Sequence, residues 1–235
     1  MRTDRVLRRL PTSLRFTATV GLALVLLSTA LAAEGPQTVL VEEAKRDAYE
    51  DAKGRKGVVL LSVNWGRRWG YCGFENVQLR SLAFDRMPVQ KPGDDSRADF
   101  VLEGPALLAK PAFVDYAFLV EPGEYALTAY DIKTAKSVRD IGGFRAGRTR
   151  LIQDGKPVAG SFEVRAGEVI YIGHFAPECI QERREPVIWR YYTSGAEAFK
   201  GYLDEVKKKY RFLDVEDAQF RLFRTTTIGK EYHLP

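Results

Sequence analysis

The chain has 235 residues, 45% of them hydrophobic, with 13 Phe and 11 Tyr. That is enough apolar material for one large domain or two small ones, and too much for a disordered chain. Its formal charge is +5, but residues 1–32 hold five of the 36 Lys and Arg and one of the 31 Asp and Glu, which leaves 31 against 30. A nearly neutral remainder gives no argument from net charge for nucleic acid or an anionic membrane as partner.

The first stretch reads as an address. Arg2, Arg5, Arg8, Arg9 and Arg15 precede an uncharged run over residues 16–33, densest in apolar side chains at 20–27. Ala30, Leu31 and Ala32 then offer small residues at the spacing a signal peptidase reads, so residues 1–32 are expected to be a secretory signal peptide and the mature chain periplasmic or secreted. The competing reading, an uncleaved anchor, needs about 18 strongly apolar residues, and Thr17, Thr19, Ser28 and Thr29 dilute the run. No Cys follows it, which excludes lipid attachment at a new N-terminal cysteine. Arg8-Arg9 matches a twin-arginine signal only in part, because Leu10-Pro11 follows directly.

Residues 33–98 are expected to hold an N-terminal helix and the first strands of the domain that continues through 99–235. Over 41–53, Val41, Ala44, Ala48 and Ala52 share a helical face, Glu42 and Arg46 are spaced to pair, and Gly54 is a C-terminal stop. Residues 57–65 read as a buried strand and 77–84 as a second. Residues 86–99, with two prolines, a Pro-Gly pair and three Asp, read as a surface loop and the best place for a boundary. Strands at 116–120 and from Tyr125 flank a Pro122-Gly123 turn, and Asp154-Gly155 is a strong two-residue hairpin signal.

Residues 161–175, SFEVRAGEVIYIGHF, alternate with period two on either side of Ala166-Gly167 and predict a hairpin. Ile170 and Ile172 on the otherwise polar-ended face predict a central strand, covered on both sides, in an antiparallel sheet. Ser194 and Glu197 form a capping box for a helix whose apolar stripe is Phe199, Tyr202, Leu203, Val206 and Tyr210. On its outer face Asp204 and Lys208, and Glu205 and Lys209, are spaced to pair. Residues 214–227 fit a short helix or an edge strand equally. The fold class is therefore mainly β: an antiparallel β-sandwich with a docked C-terminal helix and an N-terminal helical extension.

PGEY at 122–125 followed by FEVRAGEVIYIGHF at 162–175 resembles a pattern in uncharacterised bacterial envelope proteins with prealbumin-like or carboxypeptidase-regulatory-like sandwich domains. The resemblance covers about residues 113–175 and implies a fold and a compartment. It brings no catalytic residues, and the lipid-modified Cys of many such proteins is missing here.

Candidate chemistry is sparse. The two histidines, His174 and His233, have no G-x-S-x-G elbow to place a serine. His174 and Cys179 have too few partners for a zinc site. Glu182 and Glu185 carry no mark of a glycosidase pair, and no phosphate-binding glycine loop exists. No metal and no cofactor are expected. The most suggestive stretch is NWGRRWGYCGF at 64–74, where Trp65, Trp69 and Tyr71 interleave with Arg67 and Arg68 among glycines. Flat rings and planar guanidinium groups make a binding loop; the reading weighed above it is that Trp65 and Phe74 are core and the arginines snorkel over them. WRYY at 189–192 is a weaker echo, read as a strand with one aromatic face inward.

Cys72 and Cys179, the chain's two cysteines, are expected to form a disulfide in an oxidising compartment. The function expected is a non-catalytic envelope module, binding or structural, for a protein or glycan, with no nucleic acid and no stable membrane insertion of the mature chain. The alternative is a hydrolase of envelope carbohydrate or peptide.

Overall fold

The computed structural model describes residues 41–90, 93–105, 112–191 and 196–221. The expected signal peptide, the capping residue Ser194, Tyr192, His233 and residues 222–227 lie outside them, as do the side chains of 189–191. The chain divides into two units, Met1–Gln37 and Thr38–Pro235, and every described residue belongs to the second.

The unit is mainly β. It begins with β1 (Val41–Glu43), α1 (Arg46–Ala52), β2 (Gly57–Asn64), β3 (Arg68–Tyr71) and β4 (Phe74–Arg86). There follow β5 (Phe100–Glu103), β6 (Phe113–Val120), β7 (Gly123–Ala135), β8 (Ile141–Ala146), the one-turn α2 (Arg148–Leu151) and the short β9 (Ile152–Gln153) and β10 (Lys156–Pro157). The chain continues through β11 (Ser161–Val164), β12 (Val169–Ile180), β13 (Glu185–Tyr191), α3 (Ala196–Lys209) and β14 (Gln219–Phe220). One sheet has the order β1-β6-β2-β12-β13, with β14 on β12; the other has β11-β7-β4-β3, with β5 on β4 and β8 on β7.

Both faces of the first sheet's centre are apolar. Val59, Leu61, Ile170 and Ile172 belong to a buried cluster that also contains Leu82, Phe84, Leu127 and Ile132 of the second sheet. Leu60, Leu119 and Tyr171 belong to another, shared with Tyr49 of α1 and Tyr202 and Val206 of α3. The two-sided cover expected of the 169–175 strand is therefore present.

The hairpin expected over 161–175 is not. β11 pairs with β7 in the second sheet, from Ser161 against Ala126 to Val164 against Gly123, while β12 pairs with β2, β13 and β14 in the first. The turn at 165–168 is well made: Gly167 has φ +76° and Arg165 N–H donates to the Glu168 carboxylate at 3.0 Å. A turn satisfied this locally serves an arch between sheets as well as a hairpin within one, so period and turn residues do not distinguish them. Pro122-Gly123 is a second such crossing, from β6 in the first sheet to β7 in the second. Nor is the first sheet purely antiparallel, since β12 runs parallel to β2 and β14. Asp154-Gly155, with φ of 50° and 72°, does turn the expected two-residue hairpin between β9 and β10.

The N-terminal helix is shorter than expected. Val41–Glu43 is an edge strand against β6, and α1 begins only at Arg46. Glu42 consequently reaches Lys56 at 3.1 Å instead of pairing with Arg46. In α3 the stripe holds, with Tyr202, Val206 and Tyr210 buried. Its ion pairs differ from expectation: Asp204 pairs with Lys200, Glu205 with Lys208, and Lys209 donates to the Asp115 carbonyl. A helix presents both i,i+3 and i,i+4 neighbours to each carboxylate, and Lys209 is drawn off by the neighbouring strand.

The loop after β4 is exposed along much of its length but anchored at a buried ion pair. Arg148, 7% exposed, approaches Asp85, 1% exposed, at 2.7 Å and 3.1 Å through two nitrogens. Asp85 also accepts from Thr128 Oγ1 at 2.6 Å and Asp99 N–H at 3.0 Å. Arg148 Nη1 donates to the Gly93 and Ser96 carbonyls at 3.0 Å and 2.7 Å. Asp94 reaches back to cap α2 through Thr149 N–H at 3.0 Å, and Gly147 leaves room for it, since a Cβ there would strike the Asp94 carboxylate.

Burial alone would push the Asp85 pKa up; the hydrogen bonds from Arg148, Thr128 and Asp99 overcome it and hold the pKa below 3.8. The folded pKa thus lies below the unfolded one, so this contribution to stability is full above about pH 4 and is lost as pH falls through the folded value. Arg148→Met strands a buried carboxylate, and urea denaturation at pH 7 should show a loss of about 3–5 kcal/mol. A loss below about 1 kcal/mol, as for an exposed pair, would show that water reaches Asp85.

Candidate functional site

The aromatic–arginine stretch folds as a hairpin, β3 against β4, with Arg68 opposite Val77, Trp69 opposite Asn76 and Tyr71 opposite Phe74. Its turn is Cys72-Gly73, both left-handed at φ 58° and 78°, the conformation that matches a two-residue connection to strand twist. Cys72 is bonded to Cys179 of β12, with sulfurs 2.05 Å and Cα atoms 5.4 Å apart. The expected disulfide is present. Closing a loop of 107 residues removes unfolded-state entropy equivalent to about 4–5 kcal/mol on the chain-entropy model.

The five candidate ligand-binding residues separate by environment. Trp65 is fully buried, donates from Nε1 to Tyr116 Oη at 2.8 Å and packs on Gly104. It is core and not a ligand contact, because β2 delivers it into the apolar cluster shared by the two sheets. Arg68 lies over the Tyr71 ring, with Cζ 3.6 Å from the centroid, and donates to the Pro177 carbonyl at 2.6 Å, with Glu178 at 3.8 Å. Arg68 and Tyr71 thus tie the hairpin to β12. Trp69 is 58% exposed, and Arg67, half-buried beside β3, makes no ion pair with a described residue. Of the five, these two are the least tied to other described residues.

The register extends the surface. Trp69 pairs with Asn76, Asn76 with Ala135, and Ala135 with Ile141, one row across β3, β4, β7 and β8. Asn76 and Ala135 are buried, and Ile141 at the far end is 56% exposed. Sequence reasoning missed Ile141, which precedes Gly142 and Gly143 and carries no aromatic or charged neighbour on its C-terminal side before Phe144.

A second constellation was also missed. Asp115 of β6, Ser62 of β2 and His174 of β12 stand side by side across the first sheet. Ser62 Oγ donates to Asp115 Oδ1, while His174 Nδ1 hydrogen-bonds Tyr171 Oη. The His174 ring also meets Phe113 at 4.9 Å and Tyr202 of α3 at 5.2 Å between centroids. Tyr202 Oη is buried with no hydrogen-bond partner among the described residues. Burial pushes its pKa well above 10.0, against the neighbouring Ser62 hydroxyl. The row has the composition of a hydrolase triad without its connections. A nucleophilic serine needs a base on its hydroxyl, and here Ser62 gives its proton to Asp115.

A cleft of about 330 Å³ beside α1 is lined by Tyr49, Lys53, Val58, Glu168, Asp214 and Gln219 among others, but Glu168 is bonded to Arg221 at 3.1 Å. A second, of about 410 Å³, contains Asp85, whose charge is fixed by Arg148. Glu185 is bound by Arg150 and Arg183 at 3.2 Å and 3.4 Å, while Glu182 stays exposed in the β12–β13 turn. Among the described residues no group of three or more His, Cys, Asp or Glu is placed to hold a metal.

Burial lowers the His174 pKa below 6.5, against the smaller upward pull of Asp115. The folded state therefore favours the neutral ring. Its contribution to stability is full above about pH 6.5 and is lost as pH falls through that value toward the folded pKa. The urea midpoint should decline between about pH 7 and 5, and His174→Gln should flatten that decline; an unchanged slope in the variant would assign it to other groups.

No family model matches the chain, and no curated protein or solved structure matches it either.

Proposed function

We propose that the chain is an exported, non-catalytic module of the cell envelope, a β-sandwich with α3 docked on its outer face, that binds a protein or glycan through Trp69 and Arg67. The observation that carries this reading is an exposed indole on a hairpin held by a disulfide. An exposed indole offers a large, flat contact area at low conformational-entropy cost. Fixing the hairpin through Cys72–Cys179 and the Arg68–Tyr71 stack lowers the entropy cost of binding. Supporting the compartment, disulfides persist where the environment is oxidising, and Cys72 and Cys179 are paired. The Arg-rich start and the Ala30–Ala32 site support export, and the resemblance to envelope sandwich domains agrees with both.

Two measurements test this. N-terminal sequencing of the protein from the envelope fraction should begin at Ala33 or Glu34; recovery of the Met1 form in membranes would rule out cleavage. Binding to insoluble cell-wall glycan and to solubilised envelope proteins should be abolished by Arg67→Ala with Trp69→Ala, at a stability change within about 1 kcal/mol, as for exposed positions. Trp65→Ala should instead cost about 3–5 kcal/mol. Unaltered binding by the Arg67/Trp69 double variant would remove the hairpin from the ligand site.

A further inference from the structure

The β7–β8 turn carries apolar side chains for which the fold has no use. Val138 is 85% exposed and Ile141 56% exposed. The turn itself is well built: Lys136 N–H donates to the Asp140 carbonyl at 2.9 Å, and Asp140 N–H to Ser137 Oγ at 3.1 Å. Turn positions ordinarily go to Gly, Asn, Asp or Ser, so Val at the tip serves neither the turn nor the core. Lys136 and Arg139 flank it, both exposed and neither in an ion pair with a described residue. Lys133, at the end of β7, likewise makes none. Asp140 is the one acid between β7 and β8. Across the row from Ile141 lies Trp69, so two neighbouring hairpins put three of the largest exposed apolar side chains at one end of the second sheet.

We propose that this end docks peripherally on an anionic phospholipid surface. Val138 and Ile141 enter the boundary between headgroups and acyl chains, Lys136 and Arg139 meet the phosphates, and Trp69 lies at headgroup depth. Charge selects the surface: a chain with nearly balanced charge holds unpaired cations around its exposed apolar tip. An anionic glycan would meet the same cations. Val138 and Ile141, however, offer a sugar neither a stacking ring nor a hydrogen bond, whereas acyl chains accept both. Docking of this kind inserts no segment across the bilayer. It goes beyond the binding reading above, because its decisive residues are those of the β7–β8 turn.

The test is flotation of the protein recovered from the envelope fraction with vesicles of phosphatidylglycerol and phosphatidylcholine in equal parts, and with phosphatidylcholine alone. Binding should require the anionic lipid. Lys136→Gln with Arg139→Gln should weaken it about thirtyfold, from about 1 kcal/mol per cation near an anionic surface. Val138→Ser with Ile141→Ser should weaken it about tenfold, with the melting temperature unchanged in both. Equal binding to phosphatidylcholine alone, or indifference to either pair of substitutions, would overturn the proposal. So would binding of soluble polygalacturonate as tightly as the vesicles, unaffected by the Val138/Ile141 pair. Trp69 and Arg67 stay native throughout, so failure here leaves the protein-or-glycan reading intact, and the loss of that reading leaves this one standing.

Discussion

β2 and β12 can lie side by side only if both of their faces are kept from water. Every residue of β2 but its last is buried, and Tyr171 sits between Ile170 and Ile172 with all three fully buried on alternating faces. A strand pair that is apolar on both sides needs two covers. On one side the cluster continues into Leu82, Phe84 and Leu127 of the second sheet; on the other it continues into Tyr49, Tyr202 and Val206 of the helices. The same demand explains parallel pairing within a mainly antiparallel fold. Parallel neighbours tolerate two-sided burial, and their connection must be long. Here it runs from Asn64 to Val169, by way of most of the second sheet.

What was legible in the sequence was local chemistry, and what was not was the partner of each element. The stripe Tyr202, Val206, Tyr210 fixes α3 because helical period and burial coincide within one segment. Asp154-Gly155 fixes its hairpin because the turn itself requires left-handed residues. Cys72 and Cys179 could be paired because there was no third cysteine. Residues 161–175 show the opposite case: alternation and turn were read correctly, yet the two strands belong to different sheets, since periodicity states a strand's faces and not its neighbour. Val41 was assigned to a helix because a four-residue alanine spacing outweighed its β-branched character, and only β6 beside it decides for the strand. Of the candidate site, the aromatic and arginine residue types were legible, but not which of the five, Trp69 above all, would be exposed. Trp65 stood both as a candidate contact and, with Phe74, as core, and the end of β2 places it in the core.

Polar groups inside the unit are handled in two ways. Asp85 and Arg148 are 63 positions apart, and each offers its partner two contacts while spare acceptors and donors go to backbone and hydroxyls. Such full satisfaction turns a costly burial into a fixed geometry, and here it holds the long loop after β4 against the start of α2. The Asp115, Ser62 and His174 row is less complete. Ser62 and Asp115 satisfy one another, His174 is met by Tyr171, and Tyr202 Oη is left without a partner among the described residues. Its nearest polar neighbour is the Ser62 hydroxyl, whose proton goes to Asp115.

The remaining asymmetry is between the ends of the second sheet. At one end Phe84 stacks on Phe100 and meets Phe162 edge-on, 5.4 Å and 5.9 Å between centroids, and all three are buried. At the other the β3–β4 and β7–β8 turns reach past the core, and the fold spends a disulfide, a cation–π stack and a carbonyl contact on holding the first of them in place. None of those ties is needed to bury Trp65, which is already enclosed by β2, Tyr116 and Gly104. Their effect is to tie the β3–β4 hairpin, and with it the exposed Trp69, to β12. A hairpin that served only to close an edge could end in Asn-Gly and let its side chains move. One fixed at its turn, its ring and its arginine holds the residue between them in a single place.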